Sequence, residues 1–139
     1  WRVNLSTVNL IDYENASPEV RAVYDDIMAT RKSDWVNNFW KALANQPTLL
    51  QRTWQNVKSV MSDGALDSLT KELIYIAISA TNSCNYCTNS HTAGARSKGM
   101  TDEMLTELMS VVGLANQTNA LSNGLQIEVD EPFVNGGKP

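Results

Sequence analysis

Thirteen residues, Leu69 to Thr81, run without glycine or proline and are apolar nearly all round: Leu69, Leu73, Ile74, Tyr75, Ile76, Ala77, Ile78 and Ala80. The shorter stretch Leu73–Ala80 would also suit a core strand, but the full length favours a helix, buried on most sides. Directly behind it, Asn82-Ser83 breaks the run, and a further helix is expected over Cys84–Lys98. Gly99 suits the residue just past that helix, where the left-handed conformation is common. A buried helix followed at once by a polar one commits the chain to packing helix on helix.

The flanking sequence supplies more helices. Ser17-Pro18-Glu19 is a helix start: the serine caps, proline fits the first turn and glutamate favours the positive end. Val20, Val23, Tyr24, Ile27 and Met28 then form a stripe at helical spacing. A short second helix is expected over Val36–Ala44. A third is expected from Pro47 to about Met61, with Leu50, Trp54, Val57 and Met61 on one face. Asp67 or Ser68 caps the fourth. Thr101-Asp102-Glu103 opens a sixth, carrying Met104, Leu105, Leu108, Val111 and Val112, with Gly113 a weak point. A last helix is expected over Ala115–Val129. The sum is an all-α bundle of about seven helices in a single domain, 1–139. Residues 1–16 form an extended arm and 131–139 a loose tail.

Composition narrows the function. The chain has 139 residues, a net charge of −4, two cysteines and one histidine. Its Lys and Arg residues are scattered, so no nucleic acid partner is expected. No apolar run reaches the ~18–20 residues that span a bilayer, so no membrane partner is expected either. Trp1–Leu10 lacks the continuous apolar core of a secretory signal. Two cysteines are too few for a secreted disulfide scaffold; a lone C-x-x-C pair suits an intracellular redox or metal role, and a cytoplasmic location is expected.

All the cysteine and histidine lies within eight positions, as Cys84, Cys87 and His91. Spacings of three and four put the three side chains on one helix face. Cys84 falls near the helix N-terminus, where free amide groups and the helix dipole favour a thiolate. Cys87, one turn in, is within hydrogen-bond reach of His91, which can accept its proton or stabilise its charge. Glu72 sits in the apolar helix, and a carboxylate buried there needs a partner. A turn at Asn82-Ser83 folds one helix back on the other and lets Glu72 reach His91. The result is an orienter, a base and a nucleophile. Ser79, Asn82 and Tyr86 are candidates to line the site.

The pattern E-x₁₁-C-x-x-C-x-x-x-H, met by Glu72, Cys84, Cys87 and His91, resembles the alkylhydroperoxidase D-like group of the carboxymuconolactone decarboxylase family. The resemblance is strongest over Leu66–Gly99. It implies an all-helical fold, trimers or hexamers, and thiol-dependent peroxidase chemistry with no bound cofactor. In the mechanism it implies, Cys87 attacks the peroxide and becomes a sulfenic acid. Cys84 then closes a disulfide, and an external dithiol of thioredoxin or lipoyl type reduces it. The best-studied peroxidases of the family carry a second histidine between the cysteines. Here that position is Tyr86, as in the "peroxidase-related" branch.

Other readings compete. A zinc site would use Cys84, Cys87, His91 and Glu72, but two thiols and a histidine on one helix make a poor tetrahedron, and no metal is expected. A redox-sensing or assembly subunit would need the thiols without turnover. A decarboxylase-like or isomerase-like enzyme would use Glu72 and His91 alone as acid and base.

Overall fold

The computed structural model describes residues 6–134. Among them every regular element is helical, as the sequence pattern predicts. They fall into two compact units, one ending at Ser62 and the other beginning at Asp63.

The first unit holds α1 (Pro18–Arg31), α2 (Asn38–Leu43) and α3 (Pro47–Met61). Ser17 caps α1 by accepting the Val20 amide, with Pro18 in the first turn. Lys32 follows in the left-handed conformation (φ 53°), and the amide of Ser33 closes back on the Met28 carbonyl. Tyr24, Ile27, Trp40 and Leu50 are fully enclosed. Each such side chain contributes about 1.5–3 kcal/mol of burial. Trp40 meets Trp54 edge to face at 5.4 Å. The Trp54 indole donates to Asp26 at 2.6 Å, and Lys58 donates to the same carboxylate at 2.8 Å, tying α3 to α1.

Val3 and Leu5 of the expected arm lie outside the described residues. From Ser6 the arm is irregular and bonds to its own chain. The Ile11 amide donates to the Lys41 carbonyl, Asn45 donates to the Asn9 carbonyl, and the Tyr24 hydroxyl donates to the Ile11 carbonyl. Tyr13–Asn15 form a single 3₁₀ turn before α1.

The second unit holds α4 (Ser68–Thr81), α5 (Asn85–Ser97), α6 (Asp102–Gly124) and α7 (Glu131–Val134). Asp67, not Ser68, is the cap of α4, its carboxylate accepting the Thr70 amide at 2.7 Å. Ile76, Ala95 and Met100 form the buried centre, with Leu69, Leu73, Met104, Leu105, Leu108 and Met109 packed on it. No helix among the described residues is long and apolar enough to cross a membrane.

Two expectations are corrected here. First, α6 runs through Gly113 to Gly124, so the expected break and the separate Ala115–Val129 helix are replaced by one helix of 23 residues. A mid-helix glycine costs only about 1 kcal/mol, which intact neighbouring turns absorb. The seventh helix is the short Glu131–Val134 segment within the expected tail. Second, α4 is not buried on most sides. Glu72, Ile76 and Ser79 face inward, while Ile74 and Ile78 are exposed. From its middle onward α6 likewise presents Val111, Leu114 and Leu121 to solvent, and its C-cap Leu125 is exposed as well.

Candidate functional site

The site begins with the turn between α4 and α5. The amide of Ser83 bonds the Ala80 carbonyl, and the amide of Cys84 bonds the Ser79 carbonyl at 2.9 Å. This is a Schellman closure. Ser83 holds the left-handed position at φ 57° although glycine would fit it without steric cost. Cys84, the residue completing that closure, also caps α5: its sulfur accepts the Cys87 amide at 3.3 Å. One residue therefore ends one helix and starts the next, with the helix N-terminus directed at its sulfur.

The fold-back brings Glu72 and His91 together. Imidazole Nδ1 lies 2.6 Å from Glu72 Oε2. The other carboxylate oxygen, Oε1, receives Lys98 Nζ at 2.5 Å. Burial alone would raise the Glu72 pKa, but the hydrogen bonds and charges of His91 and Lys98 outweigh it and hold the carboxyl below its ordinary value. The Tyr75 ring stacks on the imidazole, with centroids 3.6 Å apart and planes at 21°. The imidazole is thus fixed at an edge by Glu72 and on a face by Tyr75.

Cys84 and Cys87 open on one pocket of about 260 Å³, lined also by Tyr75, Ile78, Ser79 and Asn82. None of these six side chains is a cation or a carboxylate. The two thiols differ. A hydrogen bond from the Cys87 side chain and another from its amide lower the Cys84 pKa. Burial, together with the neighbouring Cys84 sulfur, pushes Cys87 up to about 11. The sequence pattern predicts a Cys87–His91 hydrogen bond. Here the Cys87 thiol pairs with Cys84, and imidazole Nδ1 bonds Glu72. Ser79 and Asn82 line the pocket, whereas Tyr86 is half-exposed off its wall. Among the described residues, no group of three or more His, Cys, Asp or Glu is disposed to hold a metal ion.

Three site residues escape the sequence reading. Lys98 and Gly94 continue the α5 face at seven and three residues beyond His91, so extending the same spacing finds them. Tyr75 lies three residues after Glu72, hidden in an apolar run. Gly94 makes room for the carboxylate: a Cβ there would stand 3.0 Å from Glu72 Oε1, 3.2 Å from Cδ and 3.3 Å from Oε2. Gly94→Ala should therefore not gain the roughly 1 kcal/mol usual for such a change in a helix. In a Glu72→Ala background it should recover that gain. A double-mutant cycle by urea unfolding measures the difference, and additive effects would show that Gly94 and Glu72 do not compete for space.

The sequence from 47 to 127 matches the model of the carboxymuconolactone decarboxylase family. That span covers more than half of the chain. The chain belongs to the carboxymuconolactone decarboxylase family. This AhpD-like chain is also similar to a solved structure, the alkylhydroperoxidase AhpD core from Rhodospirillum rubrum. The two are 56% identical with a TM-score of 0.90, over 94% of this chain and 98% of that one. The agreement shows the all-α AhpD-like fold. A second relative is uncharacterized protein 4 in the cox locus of Paracoccus denitrificans, 43% identical over 54 residues. That match takes in 39% of the AhpD-like chain and about half (49%) of the Paracoccus protein.

Proposed function

We propose that this protein is a thiol-dependent peroxidase that reduces small organic hydroperoxides through a Cys84–Cys87 disulfide. The observation that carries the reading is the pairing of two thiols on one uncharged pocket wall, with the Cys84 sulfur at the α5 N-terminus accepting the Cys87 amide. Peroxide reduction needs one thiolate to attack oxygen and a second, held in reserve as thiol, to displace hydroxide from the sulfenic acid. In the resting arrangement Cys84 suits the attacking role and Cys87 the resolving one, the reverse of the order that the family resemblance implies. Glu72 and His91 then serve as the proton relay beside the pair, with Lys98 holding Glu72 ionised. The AhpD name of the similar Rhodospirillum rubrum structure supports the same class of reaction.

An external dithiol, of thioredoxin or lipoyl type, would restore the thiols in a reducing cytoplasm. The exposed apolar faces of α4 and α6 suit self-association, as a trimer or hexamer. The test is consumption of an alkyl hydroperoxide with dithiothreitol as reductant. Wild type should turn over, and Cys84→Ser and Cys87→Ser should not. A sulfenic-acid trap should label Cys84 in Cys87→Ser. Labelling of Cys87 alone, in Cys84→Ser, would restore the opposite order. No consumption by wild type sinks the peroxidase reading, and a reaction surviving loss of both thiols points to acid–base chemistry at Glu72 and His91.

A further inference from the structure

His91, Gly94 and Lys98 follow one another at three and four residues along α5 and its C-cap, so they share a face, and the Glu72 carboxylate of α4 lies against it. Its Oε2 meets imidazole Nδ1 at 2.6 Å and its Oε1 meets Lys98 Nζ at 2.5 Å, while the missing side chain of Gly94 leaves room for both oxygens. A third of the Lys98 side chain (33%) is open to water, yet its ammonium sits on a carboxylate whose side chain is only 9% exposed. A long side chain at the rim of the unit gives up rotamer freedom to reach back two turns to this one oxygen.

We propose that Lys98 is a positioning residue: its charge, applied at the far oxygen of Glu72, keeps the Nε2 nitrogen of His91 free to accept a proton. A carboxylate accepts hydrogen bonds and donates none, so the hydrogen between Glu72 and the ring sits on Nδ1 and the lone pair on Nε2. A carboxylate this enclosed needs a positive partner. Without Lys98 the ring is the remaining candidate, and it serves only by taking a second proton, at Nε2. Among the described residues, the groups that hold Glu72 ionised against its burial are His91 and Lys98. The other cation of α4, Lys71, lies beside Gly64, where a Cβ would stand 3.6 Å from its Nζ. The remaining titratable groups around the ring are Tyr75, stacked on it, and Cys87 one turn before it, with Cys84 paired to Cys87, and none of these brings a positive charge. From α6 the core receives Met104, Leu105, Leu108 and Met109, and Asp102 is taken by Arg96.

This role rests on the peroxidase reading above and deepens its relay. A thiol gives its proton to Nε2. The thiolate sulfur bonds the hydroxyl-bearing oxygen of the peroxide as the O–O bond breaks, and the ring returns the proton to the departing alkoxide. One thiol and one hydroperoxide become one sulfenic acid and one alcohol; sulfur is oxidised and the peroxide reduced. Glu72 and Lys98 keep their charges throughout, and their role is the same whichever cysteine attacks.

His91 is the only histidine in the chain, so nitrogen-15 NMR of its ring gives one isolated set of signals, which reads the nitrogens that carry hydrogen. In the reduced protein at neutral pH, wild type should show hydrogen on Nδ1 and a bare Nε2. Lys98→Met should move the ring to the form with hydrogen on both. Lys98→Gln, which can still donate to the carboxylate but has no charge, should do the same, and Lys98→Arg should keep the wild-type pattern. In single turnover with tert-butyl hydroperoxide, Lys98→Met should lose about tenfold at neutral pH and return to within about twofold of wild type near about pH 9, where solvent removes the second ring proton. An unchanged ring in Lys98→Met overturns the proposal, as does hydrogen on both nitrogens in wild type. A wild-type ring in Lys98→Gln also overturns it, by giving the role to the hydrogen bond rather than the charge. A loss of rate that is equal at the two pH values makes Lys98 a structural tie between helices and overturns it as well. Failure of wild type to react with the peroxide sinks the peroxidase reading, and the ring signals still decide what Lys98 does.

Discussion

Glu72→Ala should lower the unfolding free energy by roughly 2–3 kcal/mol. The substitution removes the shared acceptor of His91 and Lys98 and leaves two polar groups at a largely buried position without it. The loss falls short of the ~3–5 kcal/mol expected for a fully buried pair. Lys98 keeps 33% of its side chain exposed and can turn to water. The measurement is the urea midpoint at unchanged m-value. A change below about 0.5 kcal/mol would mean that the network contributes nothing net, as for many surface pairs. The pH dependence has a definite sign. Folding lowers the Glu72 pKa, so its stabilisation is complete above the unfolded-state value near ~4.3 and fades as pH falls through the folded-state value. Glu72→Gln should accordingly flatten the acid side of the stability profile below that pH.

The second large effect concerns the cysteines. At neutral pH, limiting iodoacetamide should alkylate Cys84 at least about tenfold faster than Cys87. The hydrogen bonds that Cys84 accepts from the Cys87 side chain and amide lower its pKa, while burial and the Cys84 sulfur push Cys87 up to about 11. Cys84 therefore holds the larger thiolate fraction, an advantage that the lower intrinsic nucleophilicity of a more acidic thiolate reduces in part. Peptide mapping after partial alkylation reads the ratio directly. Equal labelling, or preference for Cys87, would place the thiolate on the wrong sulfur for the order proposed above. Replacing Cys84 with serine removes the neighbouring sulfur that, after burial, raises Cys87 and should make Cys87 easier to alkylate.

Much of this was legible in sequence because it follows from local rules. Ser17-Pro18, Asp67 and Thr101 start helices by satisfying free amides, and Gly99 stops one at φ 99°. The meeting of Glu72 and His91 follows from the break at Asn82-Ser83 together with the need to partner a buried carboxylate. The missed features depend on choices between partners. His91 is within reach of Cys87 by helix spacing and of Glu72 by the fold-back, and the carboxylate holds it. Tyr75 reads as one more apolar residue until the stack is seen. Gly113 reads as a helix end because propensity is local, whereas the continuity of α6 is cooperative over many turns. The exposed faces of α4 and α6 were unreadable for another reason: an apolar stripe has the same pattern whether it meets its own chain or a second copy.

The double duty of Cys84 has an electrochemical consequence. Its sulfur accepts the α5 cap and the Cys87 thiol proton only while the pair is reduced. Closing the disulfide removes the charge that these donors stabilise, so the fold favours dithiol over disulfide. Every 1.4 kcal/mol of that preference raises the two-electron reduction potential by about 30 mV. On the peroxidase reading proposed above, a pair held in this way takes electrons readily from a donor dithiol.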